Sequence, residues 1–223
     1  MFKHSLDLAR IEDRLRQTQR QFDRINALLT MHRDGMPDSV VEHMLEEGGT
    51  RSLLQLIGHE YLHQWNVRRL RPSEYVPYRY DRPVISEGLW FAEGITSYFD
   101  LALPLLSGFS SRLDLLEDLA SDLSHVLLNP GTDIQSLADS SREAWVRLYK
   151  QSPANARSQI SYYRLGTALA FCLDVRLRQL GGSLAETLRL LWSRLGLHGR
   201  GYTRRDLMDV IGSTSVELAD QLP

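Results

Sequence analysis

Two histidines four residues apart, His59 and His63, lie in a segment whose apolar residues follow a helical spacing. From Thr50 to Arg69, leucine, isoleucine and aromatic residues recur at intervals typical of one helix face, which predicts a single amphipathic helix. Residues i and i+4 share a helix face, so both imidazoles should point to the same side. A helix in this segment would therefore bring two metal-binding nitrogens together.

The residues between these histidines complete a His-Glu-x-x-His pattern, in which Glu60 follows the first histidine. Two imidazoles on one face can direct nitrogens at one Zn²⁺ ion about 2.0 to 2.1 Å away. Glu60 then stands beside the metal position, where it can take a proton from water. The structural alternative is a pair of surface histidines with a salt-bridging glutamate. A third ligand would decide between the two, because catalytic zinc sites use three protein ligands and keep one open position.

The best candidate for a third ligand is Glu93, which lies among the apolar residues of the next predicted helix. A carboxylate on a largely buried helix needs a partner. His125 and Asp100 are the alternatives, and each can equally be a surface residue or an acceptor that orients a ligating histidine. Thr96, one turn after Glu93, is a weaker candidate for a hydrogen bond to the ligands and can instead bond its own backbone.

The rest of the chain also shows helical rather than strand periodicity, so the predicted fold class is mainly α. We expect residues 1–49 to form an N-terminal amphipathic helix and a connector, and residues 50–223 to form a core that folds as one unit with them. Residues 72–86 hold three prolines and three tyrosines without periodicity and are predicted to form an ordered loop. The predicted helices cover about 6–31, Asp38–Glu46, 50–69, 87–106, 110–128, 141–150, 163–180, 183–195 and 203–212.

Composition excludes several classes of function. A formal net charge of −2 over 223 residues gives no general attraction to nucleic acid. No uncharged apolar stretch approaches the length of a membrane span, and the N-terminus lacks the pattern of a signal peptide. We therefore expect no membrane insertion and a cytoplasmic location. Cys172, the single cysteine, lies in an apolar run and is predicted to be a small buried side chain.

Two longer segments around these candidate residues resemble the glycyl aminopeptidase family of gluzincin metallopeptidases. They are HEYLHQWNVRRLRP, which begins at His59, and LWFAEGITSYFD, which contains Glu93. The 29 residues between His63 and Glu93 also fit that family, whereas thermolysin and aminopeptidase N use a shorter interval. Ala144-Trp145 and the run Ile160–Gly166 are similar to later landmarks, so the resemblance covers about residues 50–212.

The resemblance implies a gluzincin-like helical catalytic domain that binds Zn²⁺ and hydrolyses the N-terminal bonds of peptide substrates. It implies that His59, His63 and Glu93 are the metal ligands and that Glu60 is the general base. In such enzymes a tyrosine three residues before a glycine donates its hydroxyl to the oxyanion. Tyr163 stands in that position, and Tyr162 is the second candidate.

The chain departs from the family pattern in two ways, and the second, its short length, motivates a rival hypothesis. Only Gly48-Gly49 remains of the Gly-Gly-x-Glu-His type segment that helps to receive the substrate. The chain also has no room for the β-rich and PDZ-like domains of longer relatives. The rival is an inactive binding or assembly module, whose N-terminal helix would dock a protein partner or a second copy. A purely structural zinc site is disfavoured, because such sites are usually closed by four Cys or His ligands.

Overall fold

The computed structural model describes residues 49–150, 152–153, 155, 157–215 and 220. The helices predicted over 6–31 and Asp38–Glu46 lie outside these ranges. The chain divides into two compact units, Met1–Leu53 and Leu54–Pro223. All the candidate site residues belong to the second unit.

Helices form nearly all the regular structure of the described residues. The only β-pairing there consists of two isolated bridges, Asn66 with Leu70 and Pro72 with Tyr202. The prediction of a mainly α fold is confirmed. None of the helices in the described ranges has the length and apolar character needed to cross a membrane. The α-helices are α1 (Gly49–Leu62), α2 (Ile95–Leu106), α3 (Arg112–Leu128), α4 (Leu137–Arg142), α5 (Tyr162–Gln179), α6 (Leu184–Arg194) and α7 (Arg204–Gly212), and a π-helix (Trp90–Gly94) leads directly into α2.

Polar side chains fix where several helices begin. Ser111 and Asp114 form a reciprocal capping box at the start of α3. The hydroxyl of Ser161 accepts a hydrogen bond from the backbone N–H of Arg164 at the start of α5. This cap sets the first turn of the helix that carries Tyr163.

Helix α5 is the centre of the packing and lies against the π-helix, α2 and α3. Gly166, Ala170, Leu173 and Leu177 are buried at the spacing of one helix face. Cys172 lies off this face and is exposed. The prediction of a buried cysteine was therefore wrong, because the apolar run around it covers more of the helix than its partners bury.

The contact between α5 and the π-helix is unusually close at two glycines. A Cβ atom at Gly94 would lie 2.5 Å from the Cα of Gly166, and one at Gly166 would lie 2.9 Å from the Cα of Gly94. Only glycine allows two backbones to approach this closely. This crossing fixes the distance between the segment that carries Glu93 and the first turn of α5.

Two predicted helices end or begin elsewhere. Helix α1 stops at Leu62 instead of continuing to Arg69, because Asn66 is buried and donates to the carbonyl oxygen of Ala92 at 2.8 Å. This tertiary contact pulls the chain into a turn. The helix predicted over 141–150 is replaced by α4 and a series of turns from Glu143 onward.

Candidate metal centre

The two histidines lie at the C-terminal end of α1, not in the middle of a helix as the periodicity predicted. His63 follows the last helical residue, but its backbone N–H still donates to the carbonyl oxygen of His59 at 3.2 Å. The i, i+4 relation is therefore kept, and the two rings meet edge to face with centroids 4.5 Å apart.

Glu93 is presented by the π-helix that precedes α2. Single turns of π-helix are rare and occur often at functional sites. The neighbouring residues Trp90, Phe91, Ala92 and Gly94 are all buried, which holds this turn against the core. The Glu93 carboxylate remains accessible, with 16% of its side-chain surface exposed.

One carboxylate oxygen of Glu93 lies close to both imidazoles. Its Oε2 is 3.2 Å from Nε2 of His59 and 3.1 Å from Nε2 of His63. Ligand atoms of the three residues all lie within 4.8 Å of one another. A tetrahedral ion about 2.0 to 2.1 Å from each donor would separate the donors by about 3.4 Å. The two nitrogen-to-oxygen distances are close to that value, so this donor set fits zinc.

The other ring nitrogen of each histidine is held by a separate acceptor. Nδ1 of His59 lies 2.8 Å from Oδ2 of Asp100, and Nδ1 of His63 lies 3.0 Å from the carbonyl oxygen of Asn66. Such partners fix the tautomer of a ligating histidine and leave Nε2 available. Asp100 thus occupies the orienting position that was one of its two sequence-based alternatives.

The three residues form a hydrogen-bonded cluster of ionisable groups. Burial opposes protonation of His59, but hydrogen bonds to Asp100 and Glu93 outweigh it and raise its pKa to about 9. Burial alone would raise the pKa of Glu93, but hydrogen bonds from both histidines lower it to about 2. Burial raises the pKa of Asp100 to about 6, against the hydrogen bond to His59. The carboxylate of Glu93 is thus kept ionised, in the form a cation binds.

Glu60 occupies the helix position after His59, and its side chain is exposed. It is not one of the three residues whose ligand atoms converge. A position next to His59, but off the face shared by the two histidines, leaves its carboxylate open to water. This placement is compatible with the predicted role as a base.

The two tyrosines at the start of α5 have different surroundings. The ring centroid of Tyr163 is 6.3 Å from that of His59, and burial, followed by the negative charge of Glu93, raises the pKa of its hydroxyl. Tyr162 is 2% exposed and belongs to the hydrophobic core. Of the two candidates, Tyr163 therefore lies beside the histidines.

The remaining candidates of the sequence lie outside the cluster. His125 is exposed, and its ring bonds the carbonyl oxygen of Ser121 at 2.9 Å, one turn back on α3. Thr96 donates to the carbonyl oxygen of Ala92 at 2.7 Å and accepts from Asn66 at 3.0 Å. It thus bonds its own backbone and supports the turn that follows His63.

Three residues around the cluster were not predicted from the sequence. Asn66 was passed over because its role is played by a backbone carbonyl, which the sequence does not reveal. Tyr75 was given no role, yet burial, followed by the charge of Glu93, raises its pKa to about 12. Tyr149, whose hydroxyl lies 3.2 Å from that of Tyr163, fell inside a wrongly predicted helix. No local pattern distinguishes these tyrosines from packing residues.

Comparison with known proteins identifies the family to which this chain belongs. The family model of the M61 glycyl aminopeptidases matches residues 52–169. A crystal structure of an aminopeptidase N family protein from Idiomarina loihiensis is 34% identical, with a TM-score of 0.70, over 73% of this chain. The match covers only 28% of that structure's chain. No curated protein matches. Since the family model covers more than half of the residues, including the histidine pair and Glu93, the chain belongs to the M61 glycyl aminopeptidase family.

Proposed function

We propose that this chain is a zinc-dependent metallopeptidase domain of the aminopeptidase type. The observation that carries the proposal is the convergence of two Nε2 atoms on one carboxylate oxygen, at 3.1 and 3.2 Å. His59, His63 and Glu93 would hold the ion. Three protein ligands of this kind leave an open coordination position, as in catalytic rather than structural zinc sites.

Zinc, when bound, supplies a Lewis acid that polarises the scissile carbonyl and makes water more acidic. Glu60 takes a proton from the attacking water and later returns it to the leaving amine. A carboxylate suits both steps because it can accept and then donate at one position. Its exposed side chain gives it access to the solvent from which the water comes.

Tyr163 donates its hydroxyl to the negative charge that develops on the carbonyl oxygen. Its ring lies beside His59, and the first turn of α5 is fixed by the Ser161 cap and the contact between Gly94 and Gly166. A donor held in place before the reaction loses little free energy to reorganisation.

The substrate would be the N-terminal bond of a peptide. This part of the proposal rests on the family and on the relative of known structure. The rival is an inactive module.

The test measures zinc content together with hydrolysis of glycyl, alanyl and leucyl anilides. We expect about one zinc per chain and turnover of at least one anilide. N-acetylated forms of the same anilides are the matched control, since an aminopeptidase should leave them intact. Cleavage of acetylated and free substrates at equal rates would refute the aminopeptidase assignment.

The Glu60→Gln variant separates metal binding from catalysis. The amide has nearly the same size but cannot accept a proton from water at neutral pH. We expect normal zinc content and a loss of nearly all turnover. Wild-type turnover by this variant would remove Glu60 from the mechanism, and a zinc-loaded wild type that hydrolyses none of the anilides would favour the inactive module.

A further inference from the structure

The hydroxyl of Tyr149 contacts the hydroxyls of both tyrosines that begin α5. Its oxygen is 3.1 Å from that of Tyr162 and 3.2 Å from that of Tyr163. The rings of Tyr162 and Tyr163 are stacked, with centroids 4.6 Å apart. Three phenol groups therefore meet at the edge of the candidate metal centre, and Tyr163 is the one beside His59.

Counting protons restricts how this cluster can work. Each phenol has one proton to donate, while its oxygen can also accept a hydrogen bond. If Tyr163 donates its proton to a substrate oxygen, it has none left for Tyr149. The contact between them must then run from Tyr149 to Tyr163, and the buried Tyr162 can donate to Tyr149. This order satisfies all three groups and leaves one proton for the substrate.

This order of hydrogen bonds also makes the Tyr163 hydroxyl, which donates last, a stronger donor. An O–H group whose oxygen accepts a hydrogen bond is polarised and becomes a better donor in turn. Tyr149 would thus direct the proton of Tyr163 away from itself and toward the substrate oxygen. Without the Tyr149 hydroxyl, the Tyr163 hydroxyl loses this partner and its orientation is less restricted.

The segment that carries Tyr149 is anchored by contacts of Tyr149 and of the residues that precede it. The backbone N–H of Tyr149 donates to the carbonyl oxygen of Ala144 at 3.0 Å, and Ala144 is 1% exposed. The indole of Trp145 packs against the Tyr149 ring, with centroids 5.8 Å apart, and donates to the carbonyl oxygen of Val84 at 3.1 Å. The Tyr149 ring is therefore supported by contacts that do not depend on its hydroxyl.

We propose that Tyr149 is a positioning residue, which orients the hydroxyl of Tyr163 for the oxyanion. The inference rests on the proposed peptidase function and deepens it. Tyr149 acts only through Tyr163, and this separates it from a residue that contacts substrate by itself. Dependence on Tyr163 also distinguishes Tyr149 from a residue that only supports the loop. The loss caused by removing a purely structural contact would be the same whether or not the Tyr163 hydroxyl is present.

A double-mutant cycle tests this dependence. Tyr163→Phe should lower kcat by about 10² to 10³, the usual loss for one oxyanion donor. Tyr149→Phe should lower kcat by about 3- to 10-fold, the rate equivalent of one neutral hydrogen bond, with KM changed less than about two-fold. In the Tyr163→Phe background, Tyr149→Phe should cause no further loss.

Tyr98→Phe is the matched control. It removes another hydroxyl, which bonds Asp174 at 2.8 Å and is not part of the tyrosine cluster, so kcat should stay unchanged. Equal losses from Tyr149→Phe in both backgrounds would overturn the proposal, because Tyr149 would then act independently of Tyr163. A rise in kcat would also overturn it, since the contact would then restrain Tyr163 instead of orienting it.

A spectroscopic readout checks the contact without relying on activity. In protein labelled with ¹³C at tyrosine Cζ, the Tyr163 signal is assigned by its loss in Tyr163→Phe. Tyr149→Phe should shift that signal, while Tyr98→Phe should not; an unmoved signal would overturn the proposal. A zinc-loaded wild type without turnover would refute the proposed function itself, whereas an additive cycle in an active enzyme would refute only the role of Tyr149.

Discussion

The glycine contact between α5 and the π-helix should control both stability and activity, and Gly166→Ala tests it. An alanine Cβ at this position would lie 2.9 Å from the Cα of Gly94 and 2.9 Å from the carbonyl oxygen of Trp90. Both obstacles are backbone atoms, so no side chain can rotate away. Ordinary contact begins near 3.4 Å, and the two segments must therefore separate by about half an ångström.

Two free-energy terms set the expected effect on stability. Overpacking a close contact costs about 1 to 3 kcal/mol, and the upper end applies where backbone must move. Alanine favours an α-helix over glycine by about 1 kcal/mol. We therefore expect Gly166→Ala to lower the free energy of unfolding by about 2 kcal/mol in urea denaturation, with an unchanged m-value.

Gly58→Ala is the matched control, because it adds the same methyl group within α1. Its Cβ would meet the terminal Cδ1 of Leu103 at 3.0 Å, and a leucine side chain can shift. We expect this variant to be neutral or stabilised by up to about 1 kcal/mol.

The same displacement should affect catalysis, because the contact sets the spacing between Glu93 and Tyr163. A misplacement of about 1 Å can cost about 10²-fold in rate, so half of that should lower kcat/KM by about ten-fold. The assay is anilide hydrolysis with zinc content measured in parallel. The reasoning fails if Gly166→Ala is as stable and as active as Gly58→Ala.

Three further changes have defined outcomes. His63→Ala should abolish stoichiometric zinc binding, since two protein ligands remain; zinc retained at one per chain would refute the ligand assignment. Asp100→Asn should weaken zinc affinity by about 10- to 100-fold, measured with a competing chelator, because the carboxylate that orients His59 is lost; unchanged affinity would contradict that role. Burial opposes ionisation of Asp174, but hydrogen bonds, first from the backbone N–H of Leu184, lower its pKa. In the unfolded chain the carboxyl pKa is about 3.9. A carboxyl whose pKa is lower in the folded state stabilises the fold at pH values above that pKa. The stability advantage of wild type over Asp174→Asn should therefore be present at pH 7 and shrink as the pH falls below about 4; an advantage independent of pH would contradict it.

Much of the candidate site was predictable from local sequence. The spacing of His59 and His63 requires one helix face wherever the chain is helical, and this relation survives although α1 ends at Leu62. Glu93 was a candidate because a carboxylate among apolar residues needs a partner. The mainly α fold followed from periodicity over many residues, which local errors at helix ends do not disturb.

Only the tertiary structure decided how these parts meet. The sequence left Asp100 and His125 open as ligands, surface residues or orienting acceptors. The crossing of helices placed Asp100 on His59 and left His125 on the surface. The early end of α1 depends on a hydrogen bond from Asn66 to Ala92, a residue 26 positions away.

The tyrosine cluster shows the same limit. Tyr149 and Tyr163 are 14 positions apart and meet through their hydroxyls, and no sequence period relates them. Local patterns specify which face a side chain takes within its own helix. Contacts between segments depend instead on how closely backbones approach, and here two glycines, Gly94 and Gly166, set that distance. The sequence thus determined which side chains are candidate metal ligands and which segments are helical. Packing determined how closely those side chains approach one another.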